Sequence, residues 1–276
     1  MNTYELITSR VMQSLERGVV PWKKPWGESN WPTNAYTRRK YTGCNVFLLR
    51  ATDFPSTFWV GFSQAQHMGT HVKKGEKGTQ IVKWNPLKRK DEEGKLIIVG
   101  MAPQILTVFN LSQTTADWES LEEKGTGPVL LRDAEDVVNG YRDRPGIEYG
   151  YQGACYNPIK DLVRMPNRDR FESSEGFYSC LFHELAHSTG HESRLNRNLK
   201  NFFGDEKYSL EELVAEMGAA FLGGECGILD QTFENTVGYI ESWLKALSKD
   251  KGMFVKAASQ AQRAADYILG KTKNEI

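Results

Sequence analysis

The stretch YSCLFHELAHSTGH, residues 178–191, decides how this 276-residue chain is read. Tyr178, Leu181, Phe182, Leu185 and Ala186 recur with helical period and form one apolar stripe, and His183 and His187 stand four residues apart beside it. Side chains at i and i+4 meet over one turn, so two imidazoles can reach a single ion without bending the backbone. Glu184 follows the first histidine, where its carboxylate can take a proton from a water polarised by the ion and return it to a leaving amine. H-E-x-x-H on an amphipathic helix therefore predicts a Zn2+ site of the peptidase kind, with His183 and His187 as ligands and Glu184 as general base.

A third protein ligand leaves one coordination position open for chemistry. Gly190 fits the pattern H-E-x-x-H-x-x-G-x-x-H, but Ser193 occupies the place of its last histidine. His191 lies beyond Gly190, which is expected to end the helix. Further on, YSLEELVAEMGAAFLGG (208–224) reads as a second helix with Glu212 and Glu216 at i and i+4. One of the two can bind metal while the other accepts the free ring N–H of a ligating histidine. Glu212 as ligand with Glu216 behind it follows the order of thermolysin-like enzymes. A capping box Ser209-x-x-Glu212 would give Glu216 the ligand role instead, and Glu211 points to another face. Before the metal helix, DLVRMP (161–166) reads either as an edge strand that an extended peptide could join or as an ordinary sheet strand. Tyr149, Tyr151 and Tyr156 are available to stabilise an oxyanion, and nothing in the sequence selects among them.

Zero net charge hides an asymmetry: residues 1–115 carry 16 basic and 8 acidic side chains, leaving 19 and 27 for the remainder. The basic part holds five of the seven tryptophans, Trp22, Trp26, Trp31, Trp59 and Trp84. Several are interleaved with cations, in WKKPW, TRRKYTG, HVKKGEKG and KWNPLKRK. Single-stranded nucleic acid asks for this mixture, because bases stack on aromatic faces while cations follow the phosphates. No helix-turn-helix or zinc-finger pattern points to base-specific reading of a duplex. An apolar fraction of 39% suffices for a packed core. The chain shows neither a membrane-spanning apolar run nor a secretory leader, so the cytoplasm is expected, with the four scattered cysteines reduced.

The opening helix is expected over Tyr4–Arg17 and an ordered loop over 21–40. Short strands follow at TFWVGF, TQIVKW, KLIIVG and ILTVFNL, with DEEG as a hairpin turn. A helix at 134–141, strands at GIEYGY and from ACYN to LVRMP, and several helices complete the chain. The expected fold class is α+β: a small antiparallel sheet with helices over 1–120, a linker at 121–130 around EEKGTGPV, and a metallopeptidase domain over 131–276.

The segments VPWKKPW, PTNAYTRRKYTGCN, GTHVKKGEKGTQIVKW, VFNLSQ, FHELAHSTGHESRLNR and EELVAEMGAAFL together resemble the ArdC-type antirestriction proteins of conjugative plasmids and phages, relatives of the N-terminal region of some plasmid primases. The resemblance covers nearly the whole chain. It implies an N-terminal domain that binds single-stranded DNA without strong sequence preference, a zincin-like C-terminal domain, and protection of incoming plasmid or phage DNA from host restriction. The DNA contacts it suggests are Trp22, Lys23, Lys24, Trp26, Arg38, Arg39, Lys40, Tyr41, Lys73, Lys74 and Lys77. The expected partners are single-stranded DNA and a protein substrate such as a host restriction component, with no membrane and a monomeric chain. Two rival readings are a strand-coating protein whose zinc site is structural or vestigial, and a plain cytosolic zinc peptidase.

Overall fold

In the computed structural model the described residues are 2–23, 31–121, 131–197, 199, 210–228 and 237–271. Helix α1 (Thr3–Glu16) opens on a capping box: the Asn2 side chain accepts from the Glu5 N–H at 2.9 Å, and the Glu5 carboxylate accepts from the Asn2 N–H at 2.8 Å. Its buried face carries Ile7, Val11 and Leu15, the i, i+4, i+8 stripe visible in the sequence. There follow β1 (Thr33–Asn34), α2 (Cys44–Arg50), β2 (Phe58–Gly61), α3 (Phe62–His67), β3 (Thr79–Lys90) and β4 (Leu96–Asn110). Together β1, β2, β4 and β3 form a four-stranded sheet in that order, with β1 and β2 parallel and the other pairs antiparallel.

KLIIVG and ILTVFNL, read as separate strands, are one strand, β4, and TQIVKW continues to Lys90. Gly100 and Pro103 do not break the ladder: the register runs from Thr79↔Val108 to Lys90↔Leu96 and shifts once, between Leu87 and Lys88. Beyond Trp84 the hairpin leaves the body, and Leu87, Leu96, Ile98, Val99 and Met101 are exposed along it. The turn at its tip is closed by the Asp91 carboxylate, which accepts from the Glu93 and Lys95 N–H groups.

The second half contains α4 (Leu131–Gly140), β5 (Gly146–Tyr149), β6 (Cys155–Asn157), β7 (Leu162–Met165) and α5 (Ser174–Ser188). Then come α6 (Leu210–Glu225), α7 (Val237–Lys249) and α8 (Met253–Ile268). The small sheet has the order β5-β7-β6, so DLVRMP is its central strand and β5 and β6 are its edges. None of the four cysteines is in a disulfide, and Cys155 is exposed. Among the described residues no helix is long and apolar enough to cross a membrane.

The two halves of the sequence share one core. Ile7, Leu15, Trp22, Trp31 and Phe47 belong to the same buried cluster as Phe182, Met217, Phe221, Trp243 and Phe254. Phe47 lies 4.9 Å from Phe221 ring to ring, and Trp22 meets Trp243 edge-on at 5.7 Å. Hydrogen bonds cross the same contact, from the Thr8 hydroxyl to the Lys251 carbonyl at 2.6 Å and from the Gly43 N–H to the Gln262 side chain at 3.1 Å. Of the expected linker, residues 122–130 lie outside the described residues.

Candidate metal centre

Helix α5 starts where the Ser173 hydroxyl accepts from the Gly176 N–H at 3.0 Å, and it ends at Ser188. Two arginines hold that end. Arg194 donates to the Ser188 carbonyl at 2.8 Å and is anchored in turn by Asp161, while Arg197 donates to the Ala186 carbonyl at 2.9 Å. Cations on the last carbonyls satisfy groups with no partner inside the helix. Gly190 sits in a crowded place: a Cβ there would stand 3.1 Å from the His187 carbonyl oxygen and would push the Leu199 side chain aside.

Within α5, the Nε2 atoms of His183 and His187 lie 3.1 Å apart. Glu212 of α6 places one carboxylate oxygen 3.5 Å from His183 Nε2 and the other 3.7 Å from His187 Nε2. Among the described residues this trio forms a group whose ligand atoms all lie within 4.8 Å of one another. Donors bound to a tetrahedral ion at about 2.1 Å are about 3.4 Å apart, so the two imidazoles lie near the spacing of metal ligands. One further observation bears on the fit: Glu184 is buried, and its Oε2 atom has no hydrogen-bond partner. A buried carboxylate oxygen without a partner, on a residue close enough to His183 to raise its pKa, suits a divalent cation and its water.

The carboxylate that meets the far ring nitrogen of His187 is Glu211, not the expected Glu216. Glu211 Oε1 is 3.2 Å from His187 Nδ1, and its carboxylate is gripped by Arg197 at 2.9 and 2.7 Å. Burial pushes the Glu211 carboxyl up, but Arg197 and His187 outweigh it and hold it below the ordinary range. Glu212 is likewise raised by burial and lowered further by the two histidines. Loss of water disfavours the charged His183, yet Glu212, Glu184 and Glu216 together carry its pKa above 6.5. Glu216 instead accepts from the Trp22 indole N–H at 2.7 Å and from the Tyr239 hydroxyl. His191 pairs with the Ser193 hydroxyl at 2.7 Å, outside the metal group. Ser209, the proposed cap, lies outside the described residues. Tyr156 is committed to Asp161 and Arg194, Tyr151 to Glu148, and Tyr149 stacks on Phe177.

Helices α5 and α6 meet at Gly218, where a Cβ would come within 2.9 Å of the Ala186 Cβ. Gly218→Val is therefore expected to cost about 1–3 kcal/mol through overpacking and, by moving Glu212 off the histidines, to weaken metal binding at least tenfold. Gly223→Ala, whose nearest contact is 3.6 Å, should change neither. Thermal melts and metal titration of the two variants provide the check.

The basic half is placed differently from its sequence reading. Trp22 is only 2% exposed and serves the core, so it offers no face for stacking. Lys23 sits 3.8 Å over the Tyr239 ring, and Lys24 and Trp26 lie outside the described residues. Arg38 and Arg39 are exposed; Lys40 reaches toward Glu225 at 3.8 Å; Tyr41 is partly buried and bonded by Asn34 at 3.3 Å. Lys73, Lys74 and Lys77 line an exposed loop, with Lys73 on the Ser112 carbonyl at 3.0 Å. Among the described residues the exposed large aromatics of this half are Tyr36 and Phe62, neither of which is among the DNA contacts expected from the sequence.

Residues 1–129 match the family described as the N-terminal domain of anti-restriction factor ArdC, and residues 135–260 the family described as a zincin-like metallopeptidase. The chain is 31% identical to the DNA primase TraC of Escherichia coli over 99% of its own length, but spans only 27% of that protein. It is 29% identical to the uncharacterized protein y4eC of Sinorhizobium fredii, of which it covers 91%. Two crystal structures of the antirestriction protein ArdC from plasmid R388 are similar throughout. The metal-free one shows 33% identity and a TM-score of 0.79, with 98% of this chain and 97% of that chain covered. The Mn(II)-bound one shows 32% identity and a TM-score of 0.80, with 99% of each covered. With the zincin-like helix pair, its divalent-metal donor set and the mixed α and β architecture all in place, the chain belongs to the ArdC antirestriction family.

Proposed function

We propose that this chain binds single-stranded DNA through its basic N-terminal part and hydrolyses a protein at a Zn2+ centre held by His183, His187 and Glu212, protecting incoming plasmid or phage DNA from restriction. The observation that carries the catalytic reading is the three-donor cluster on α5 and α6, with a buried, unpartnered Oε2 on Glu184, the residue that follows the first donor. When bound, Zn2+ would polarise the scissile carbonyl and acidify water. Glu184 then holds the water's proton on Oε2 and passes it to the departing amine. Glu211, fixed by Arg197, keeps the His187 ring in the tautomer that presents Nε2 to the metal. The substrate would be a restriction component, and the protein a cytoplasmic monomer. The division of labour falls between 1–120 and 131–276, and the single-strand reading rests on the stacking-plus-phosphate composition of the first part.

Zinc-loaded protein should cleave fluorescent casein, used as a generic unfolded substrate, and a chelator should stop it. Absence of zinc-dependent cleavage of casein and of purified restriction subunits alike would remove the peptidase reading.

Proton linkage gives a separate expectation. His183, raised above 6.5, stabilises the metal-free fold below pH 6.5 and loses that contribution as pH rises through its raised pKa. Glu211, held below 4.5, stabilises above pH 4.5 and loses its contribution as pH falls through its lowered pKa. Both are present between pH 4.5 and 6.5. Zinc needs His183 unprotonated, so adding it should move the stability optimum upward and release protons near neutrality. Melting temperatures across pH, with and without zinc, and calorimetry in two buffers of different ionisation heat measure this.

A further inference from the structure

The turn between β1 and α2 is built around Asn34. Its side-chain oxygen accepts from the Tyr36 N–H at 3.1 Å, the Thr37 N–H at 2.9 Å and the Thr37 hydroxyl at 3.1 Å. Its amide donates to Gln64 of α3 at 3.0 Å, and the same Gln64 oxygen accepts from the Gly61 N–H at 3.0 Å. Main-chain bonds close the loop, Asn34 N–H to Arg39 at 2.9 Å and Arg38 N–H to Asn34 at 2.8 Å. Ala35, Phe58, Val60, Ala65 and Leu111 form a small separate core beneath both the turn and α3.

This well-fixed turn leaves an aromatic ring at the surface. Tyr36 is 51% exposed, with its ring 6.1 Å from the His67 ring at a 35° tilt. Arg38 has φ +58°, a left-handed conformation that glycine would adopt without strain, and its guanidinium lies 5.1 Å over the Phe58 ring. Arg39 is exposed beside it, and Phe62, 56% exposed, opens α3 next to Gly61. Between residues 31 and 78 the only acidic residues are Asp53 and Glu76. Exposed aromatic faces beside cations, on a rigid support, match a base and its flanking phosphates.

We propose that Tyr36, backed by His67, is the stacking platform for a base of single-stranded DNA, with Arg38 and Arg39 holding the adjacent phosphates and Phe62 extending the track. This rests on the single-strand reading above and assigns it to a surface that excludes Trp22 and Tyr41.

The test is fluorescence anisotropy on the full chain with a labelled oligo-dT strand and an abasic strand of equal length. Tyr36→Ala should weaken oligo-dT binding about 5- to 100-fold, Tyr36→Trp should restore it, and the abasic strand should bind both variants like the unmodified chain. Arg38→Ala with Arg39→Ala should weaken both strands alike and lower the slope of log affinity against log salt by about 0.7 per phosphate lost. Wild-type binding that Tyr36→Ala leaves unchanged, or an equal loss on the abasic strand, overturns the platform while the single-strand reading stands. No binding of oligo-dT by the unmodified chain removes that reading and the platform with it.

Discussion

Glu184→Gln should leave the protein folded and able to bind zinc, while hydrolysis falls about 10²- to 10⁴-fold. The carboxylate is not one of the three grouped donors, and its buried Oε2 has no hydrogen-bond partner. The amide keeps the size of the side chain and cannot accept the proton. Because the substitution also removes a buried charge without a full set of partners, the metal-free variant should melt no lower than the unmodified protein. His187→Ala makes the contrast: it empties a ligand position and strips Glu211 of its histidine partner, so it should lose metal and activity together. Zinc content, melting temperature and casein cleavage read on the same preparations separate the two. Activity retained by Glu184→Gln would assign the proton transfer to another group.

The largest stability effect is expected at Trp22. Trp22→Ala removes a ring packed against Trp243 and Phe254 and leaves Glu216 without its indole donor, a loss of about 3–5 kcal/mol. Trp22→Phe keeps most of the packing and loses the N–H, costing about 1–3 kcal/mol for the carboxylate deprived of a partner. Glu216 lies one turn beyond Glu212 on α6, so both variants should also weaken metal binding, although Trp22 is far from the metal ligands in sequence. The shared core extends the argument: a chain beginning at residue 131 would expose Phe221, Trp243 and Phe254 and should not fold cooperatively. Denaturant titration followed by circular dichroism measures both. A cooperative, full-amplitude transition from the 131–276 fragment would show that the core divides where the sequence changes composition.

Why some of this was legible and some was not follows from the range of the interactions. His183, Glu184 and His187 sit within one helical turn, and local geometry alone brings them together. The third position depends on the rotation of α6 against α5. Glu211, Glu212 and Glu216 occupy neighbouring places on that helix, and their spacing cannot say which faces the histidines. Arg197 and the Gly218–Ala186 contact settle it, and both act across the chain. Trp22, amid lysines and prolines, carries the composition of a nucleic-acid platform. Its pocket is supplied by residues more than two hundred positions later, which no local pattern reveals. Tyr36 shows the converse: it lies within PTNAYTRRKYTGCN, but no local pattern reveals that its ring stays exposed. Similarly, KLIIVG and ILTVFNL read as separate strands, but the ladder with β3 runs on through Gly100 and Pro103.

Calorimetric titration of Zn2+ into the metal-free chain and into Glu212→Gln, Glu211→Gln and Glu216→Gln variants tests the metal centre most directly. The account predicts one equivalent bound by the unmodified protein, the greatest loss for Glu212→Gln, and a loss of about 10- to 100-fold for Glu211→Gln. Glu216→Gln, which still presents an oxygen to Trp22 and Tyr239, should bind within a few-fold of the unmodified chain. No zinc binding at all, or a Glu216→Gln loss as large as that of Glu212→Gln, would contradict it.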